Sequence, residues 1–130
     1  MIILIIRSEN PEAEIGLYHD GKELVYLKWR AHRMLAETIN KKIDELLARE
    51  SKTLKNIEGI VAYKGPGSFT GLRIGLSVAN ALAYGLKVPI VGATGEFWIQ
   101  EGAGYLLSKK NEKMVMPEYG ADVHIIPPRK

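Results

Sequence analysis

The residues best suited to chemistry stand in one run, GPGSFTGLRIG, from Gly65 to Gly75. Its opening glycines and proline precede a stretch that reads as helix, so the run is expected to carry the chain from a strand end into a helix start. Such a turn leaves backbone N–H groups unpaired at the positive end of the helix dipole, and an anion is their natural ligand. The dinucleotide fingerprint wants glycine at the first, third and sixth places, yet after Gly65 and Gly67 the sixth place holds Thr70, with Gly71 one residue late. The P-loop pattern is absent, because Leu72 follows Gly71 where a lysine is needed. A nucleophile elbow needs glycine two residues to either side of its serine, and Ser68 has Pro66 and Thr70 there. Gly65, Gly67, Ser68, Thr70 and Gly71 thus stand as candidate phosphate contacts against a plainer reading. In that reading Pro66 fixes a tight turn, Ser68 or Thr70 caps the helix at about 1 kcal/mol, and the glycines take backbone angles that other residues avoid.

Other catalytic groups are scattered. His19 lies beside a hairpin turn, His32 at a helix start and His124 in the tail, with no H-x-x-x-H pair for a metal. Glu96, Glu101 and Asp122 show no pairing of a general acid with a base, and a solvated face accounts for them. Trp29 and Trp98 read as core or interface anchors, since basic residues do not interleave with several aromatics.

The elements that must position the glycine run follow from periodicity. MIILII is an apolar opening far shorter than the roughly 18 residues of a membrane span, and it reads as a buried strand. Asp20-Gly21 between alternating runs predicts a hairpin. From about His32 to Arg49, Leu35, Ile39, Ile43, Leu46 and Leu47 recur at helical spacing opposite Arg33, Glu37, Lys41 and Glu45. IEGIVAY at Ile57 to Tyr63 is a strand, the glycine turn and a helix follow, PIVGA is a second short strand, and a helix is expected over Glu96 to Leu107, weakened by Gly102 and Gly104. In the helix after the turn, Arg73, Ser77, Asn80 and Tyr84 line one side, and Leu72, Leu76, Ala79, Ala83 and Leu86 the other. Gly71, Gly75 and Ala79 recur every four residues and permit close packing, either within the domain or against another subunit. The order predicts a mixed α/β sheet, antiparallel through its first three strands and covered by helices, of ribonuclease-H-like type, with a flavodoxin-like sandwich as the competing topology.

The 130 residues and 46% hydrophobic content suit one domain and leave no room for two closing lobes. A net charge of +3 is a weak pointer to acidic partners or RNA. The absence of cysteine rules out disulfides and thiolate metal sites and fits the cytoplasm.

The stretch from Ile57 to Ala93, with GPGSFTGLRIG at its centre, closely resembles the core of the TsaB family, also called YeaZ, a Gcp-like and peptidase-M22-like branch of the ASKHA superfamily. Weaker similarity covers the opening strand, the hairpin, AHRMLAETI at Ala31 to Ile39 and PEY at Pro117 to Tyr119. The resemblance implies a single ribonuclease-H-like ASKHA lobe over residues 1–110, and the three prolines of the tail over residues 111–130 predict an extended segment laid on the surface. It also implies a non-catalytic dimerization subunit of the machinery that makes threonylcarbamoyladenosine (t6A) in tRNA. Such a subunit binds a TsaD-type catalytic partner through its helices while a TsaE-type ATPase joins the cycle. It binds no metal or cofactor of its own, ATP acts on the complex, tRNA is reached only through the complex, no membrane is involved, and a homodimer forms when the chain is alone. On that footing Leu35, Ile39, Arg73, Ser77, Asn80 and Tyr84 are the expected partner contacts. Two departures stand out. Arg7, Ser8 and Glu9 occupy the place where the family's first strand commonly ends in an acidic residue followed by threonine and serine, and the second lobe of a usual member is missing. A cation at the acidic place argues against phosphoryl chemistry. The alternative is a nucleotide-binding ASKHA protein or ATPase that completes its site by dimerization.

Overall fold

In the computed structural model, which describes residues 1–119 and only the backbone of His32, the sheet grows outward from the apolar opening run. That run is strand β1 (Ile2–Arg7). It pairs antiparallel with β2 (Glu12–His19), which pairs antiparallel with β3 (Lys22–Arg30). On its other side β1 pairs parallel with β4 (Gly59–Tyr63), and β4 with β5 (Ile90–Ala93). The order β3-β2-β1-β4-β5, with its first three strands antiparallel, is the expected mixed sheet and excludes the flavodoxin-like alternative. Two residues close the β2–β3 hairpin. Asp20 at φ 52° and Gly21 at φ 82° both occupy the left-handed region, the geometry that makes Asp-Gly a strong hairpin signal.

Alternation in β1 divides the core. Leu4 and Ile6 face one side with Ile15, Leu17, Ile60 and Ile90, where helices α1 (Leu35–Arg49) and α2 (Phe69–Leu86) cover them. Ile3 and Ile5 face the other side with Val61, Tyr63 and Val91, beneath α3 (Trp98–Leu107). Helix α1 starts later than its periodicity suggests, because a 3-10 turn at His32–Met34 comes first and the Met34 N–H donates to the Ala31 carbonyl at 2.7 Å. Helix α3 also begins two residues after Glu96, at Trp98.

The chain after α3 differs from a tail simply laid on the surface. The Ile90 N–H donates to Asn111 Oδ1 at 3.1 Å, the Glu112 N–H to the Ile90 carbonyl at 2.8 Å, and the Gly92 N–H to Glu112 Oε2 at 3.1 Å. Segment 111–119 thus protects the edge of β5, where exposed donors would otherwise recruit another strand. Val115 then enters the core at 1% exposure. The rest of the expected tail, 120–130, with Asp122 and His124, lies outside the described residues.

No helix among the described residues is long and apolar enough to cross a membrane.

Candidate functional site

The carboxyl ends of parallel strands, where neighbouring connections diverge, are where open α/β sheets place their ligands. In this chain that position is the end of β1 and β4. Arg7, the last residue of β1, grips Glu9 with two nitrogens. Nε donates to Oε1 at 3.0 Å and to Oε2 at 2.9 Å, and Nη2 donates to Oε2 at 2.7 Å. The guanidinium lies 4.0 Å over the Tyr63 ring at the end of β4, and Trp98 meets that ring edge-on at 5.7 Å. The hydrogen bond to Glu9 raises the Arg7 pKa above its ordinary value despite partial burial. Glu9 is 6% exposed and fully engaged by a cation of its own chain. A carboxylate held in this way is not poised to organise an ion or to activate water. Sequence reasoning saw Arg7 as a departure but missed its partner two residues on.

The glycine run receives the same β1–β2 connection. A side chain at Gly71 would overlap the carbonyl oxygen of Ser8, and one at Gly67 would overlap the Glu9 side chain. Ser8 Oγ donates to the Gly71 carbonyl at 2.7 Å, fastening β1 to the first turn of α2. These glycines therefore serve close packing against the chain's own first loop. Gly65 is a separate case, because its φ of +123° favours glycine and an added side chain would meet the Glu118 carbonyl. Ser68 does stand at the N-cap of α2, but its side chain makes no cap hydrogen bond, contrary to the expected capping role. Thr70 lies within the first turn. Beside the turn a cavity of about 500 Å³ is lined by Ser68, Thr70 and Gly71, by Arg33 and Leu35, and by Glu9 to Pro11 across from them. Among the described residues no group of three His, Asp or Glu side chains could hold a metal ion.

The expected contact residues separate into three sets. Arg73, Ser77 and Tyr84 are exposed along the outer side of α2, with Tyr84 at 87%. Leu35 and Ile39 do not share that surface. At 4% and 0% exposure they face the sheet, because the same spacing that marks them as an apolar stripe turns them inward. Asn80 is committed within the chain. Its Nδ2 donates to the Val115 carbonyl at 3.0 Å, and its Oδ1 accepts from the Val115 N–H at 2.8 Å. Two exposed residues that sequence reasoning missed belong to this surface: Phe69 at 54%, the first residue of α2 and stacked 4.5 Å from Tyr119, and Met116 at 66%, beside Arg73 and Ser77. Arg73 covers the Phe69 ring at 5.2 Å. Their signal was the tail itself, whose return to α2 no local pattern announces.

Comparisons with known proteins agree with this architecture. A family profile described as TsaD, tRNA N6-adenosine threonylcarbamoyltransferase, matches residues 29–94, which include α1, β4, the glycine run, α2 and β5. The Escherichia coli protein named tRNA threonylcarbamoyladenosine biosynthesis protein TsaB is 29% identical over 79% of this chain and 44% of its own length. A Geotalea uraniireducens protein named tRNA N6-adenosine threonylcarbamoyltransferase is 42% identical over 71% of this chain and 32% of its own length. A crystal structure from Pseudomonas aeruginosa, described as an uncharacterized protein with similarity to peptidase YEAZ, superposes with a TM-score of 0.67 at 26% identity, over 72% of this chain and 43% of that one. The chain thus spans less than half the length of these relatives. With the mixed sheet, the glycine run and the profile match in agreement, the chain belongs to the TsaB/YeaZ family and carries the ribonuclease-H-like core of its TsaD-related domain.

Proposed function

We propose that the chain is a non-catalytic binding subunit in the synthesis of threonylcarbamoyladenosine in tRNA, and that it supports a TsaD-type transferase by gripping it with the outer side of α2. The observation that carries this reading is the closed end of β1. Glu9, the acidic side chain nearest the place where chemistry would sit, is buried against Arg7, and the Arg7 guanidinium rests on Tyr63. The names of the relatives support the pathway. The exposed stripe Arg73, Ser77 and Tyr84, with Phe69 and Met116 beside it, supplies the cation, aromatic rings and methionine enriched at protein interfaces. In this reading the chain binds no cofactor, ATP is used by the assembled complex together with a TsaE-type ATPase, the work is done in the cytoplasm, and a homodimer through α2 stands in for the absent partner. Depleting the chain in its host should lower threonylcarbamoyladenosine in digested tRNA. The purified chain supplied with threonylcarbamoyl-adenylate and tRNA should form none unaided. Product formed by the chain alone contradicts the proposal.

One observation favours a second reading, in which the chain binds a nucleotide and completes its site with another copy. The cavity at the start of α2 is of ligand size and has Arg33 on its wall. Calorimetry with ATP and ADP decides it, since micromolar binding abolished by Arg33→Ala would establish this reading, and flat titrations would remove it.

A further inference from the structure

All three helices finish at the end of the sheet opposite the glycine run, and lysines gather there. Lys87 is the C-cap of α2, Lys109 and Lys110 follow α3, and Lys113 closes the next turn. Within the turn after α3 the carboxylate is Glu112, which accepts the Gly92 N–H and lies 3.8 Å from Lys110, while Glu50 at the end of α1 and Glu58, which accepts the Ile2 N–H, stand farther along the same end.

Lysine suits a helix C-terminus, where it offsets the dipole. That does not account for the backbone. Lys87, Lys109 and Lys113 hold φ values of 59°, 67° and 65°, in the left-handed region where glycine is the favoured residue. Cations stand at three positions whose geometry asks for glycine, and among the described residues none of the three pairs with a carboxylate. Aromatic rings accompany them. Tyr84 is 87% exposed, and with Gly85, Lys87, Asn111 and Lys113 it lines a cavity of about 500 Å³. Tyr105 carries the Lys110 ammonium 4.5 Å from its ring centre.

We infer that this end of the molecule binds RNA directly, with Lys87, Lys109 and Lys113 on backbone phosphates and an unstacked base on Tyr84. Cations beside an open ring are the means by which single strands and loops are held, the lysines neutralising phosphate and the ring accepting any base face. The concavity favours RNA over a lipid surface, because a bilayer presents a plane with nothing to insert between Tyr84 and Lys113. This goes beyond the binding-subunit reading, in which RNA is reached only through the complex.

The test is fluorescence anisotropy of the isolated full chain with a labelled, unmodified tRNA transcript over a range of salt. The titration is run at protein concentrations where sedimentation shows a monomer, so that neither a TsaD-type subunit nor a second copy covers Tyr84 and the outcome is independent of whether that subunit binds. The double variant K87Q/K113Q should weaken binding by about tenfold and lower the salt slope by about 1.4, whereas K28Q/K41Q, which removes the same charge from β3 and α1, should leave both near wild type. Tyr84→Ala should weaken binding at least about fivefold at an unchanged salt slope. The inference is overturned by absence of saturable binding at low salt, by K28Q/K41Q losing as much as K87Q/K113Q, or by an unchanged affinity in K87Q/K113Q. It is equally overturned if phosphatidylglycerol vesicles, and not tRNA, show the dependence on Lys87 and Lys113.

Discussion

Arg7 and Glu9, two residues apart at the end of the central strand, form a two-pronged ion pair in which the carboxylate is almost wholly buried and the guanidinium carbon sits 4.0 Å from the centre of the Tyr63 ring. The pair fills the place where an α/β sheet would otherwise present a reactive group. Removing one partner leaves the other charge stranded, which in a fully buried pair costs about 3–5 kcal/mol. The Arg7 side chain keeps 25% of its surface in water, so Arg7→Ala is expected to cost less, on the order of 2 kcal/mol. Urea unfolding measures this, and the double change Arg7→Ala with Glu9→Ala should recover part of the loss.

Gly71 and Gly85 lie in the same helix but should respond to alanine with opposite signs. An added methyl at Gly71 meets backbone of Ser8, which cannot swing aside, whereas at Gly85 nothing lies within 4 Å. Gly71→Ala is expected to destabilise by about 1–3 kcal/mol through overpacking, and Gly85→Ala to stabilise by up to about 1 kcal/mol through helix propensity. Thermal melts of the two variants give the comparison.

Asn80→Ala should release the strap formed by residues 111–119. Both hydrogen bonds to Val115 are lost, at an expected cost of about 1–3 kcal/mol for stranding buried backbone groups. Hydrogen exchange at the Val115 amide should accelerate far more than exchange within β1.

Much of this fold was legible in local pattern. The apolar opening run, Asp20-Gly21 and the stripe from Leu35 to Leu47 each state a strand, a turn or a helix face within a few residues, and the structure places all three as read. The site was legible in part. Arg73, Ser77 and Tyr84 lie on the exposed side that their spacing implies, but Leu35 and Ile39 were assigned to a surface although their periodicity already made them core. The remaining features are products of distant contacts. Ser8 meets Gly71 across 63 residues and Asn80 meets Val115 across 35, so neither the reason for the glycines nor the commitment of Asn80 appears in any window of sequence.

Alkali should weaken the fold through Tyr18. Burial, aided by a hydrogen bond to Glu23, raises its pKa from 10.0 to about 12. Between those values the unfolded chain has lost the phenolic proton and the folded chain has kept it. Stability is therefore intact below pH 10 and falls as pH rises toward about 12. Tyr26, half-buried and donating to Glu14, is shifted in the same direction and adds to the slope. Urea midpoints collected across that window should decline less steeply in Tyr18→Phe.

The most direct test of the proposed grip on a neighbour is calorimetric titration of the intact protein into its host's TsaD-type subunit. The account predicts a one-to-one complex that dissolves any homodimer, with affinity reduced at least about tenfold by Arg73→Glu or Tyr84→Ala and unchanged by Leu107→Ala, a residue exposed on α3 across the sheet. No heat of binding, or an affinity indifferent to Arg73 and Tyr84, would contradict it.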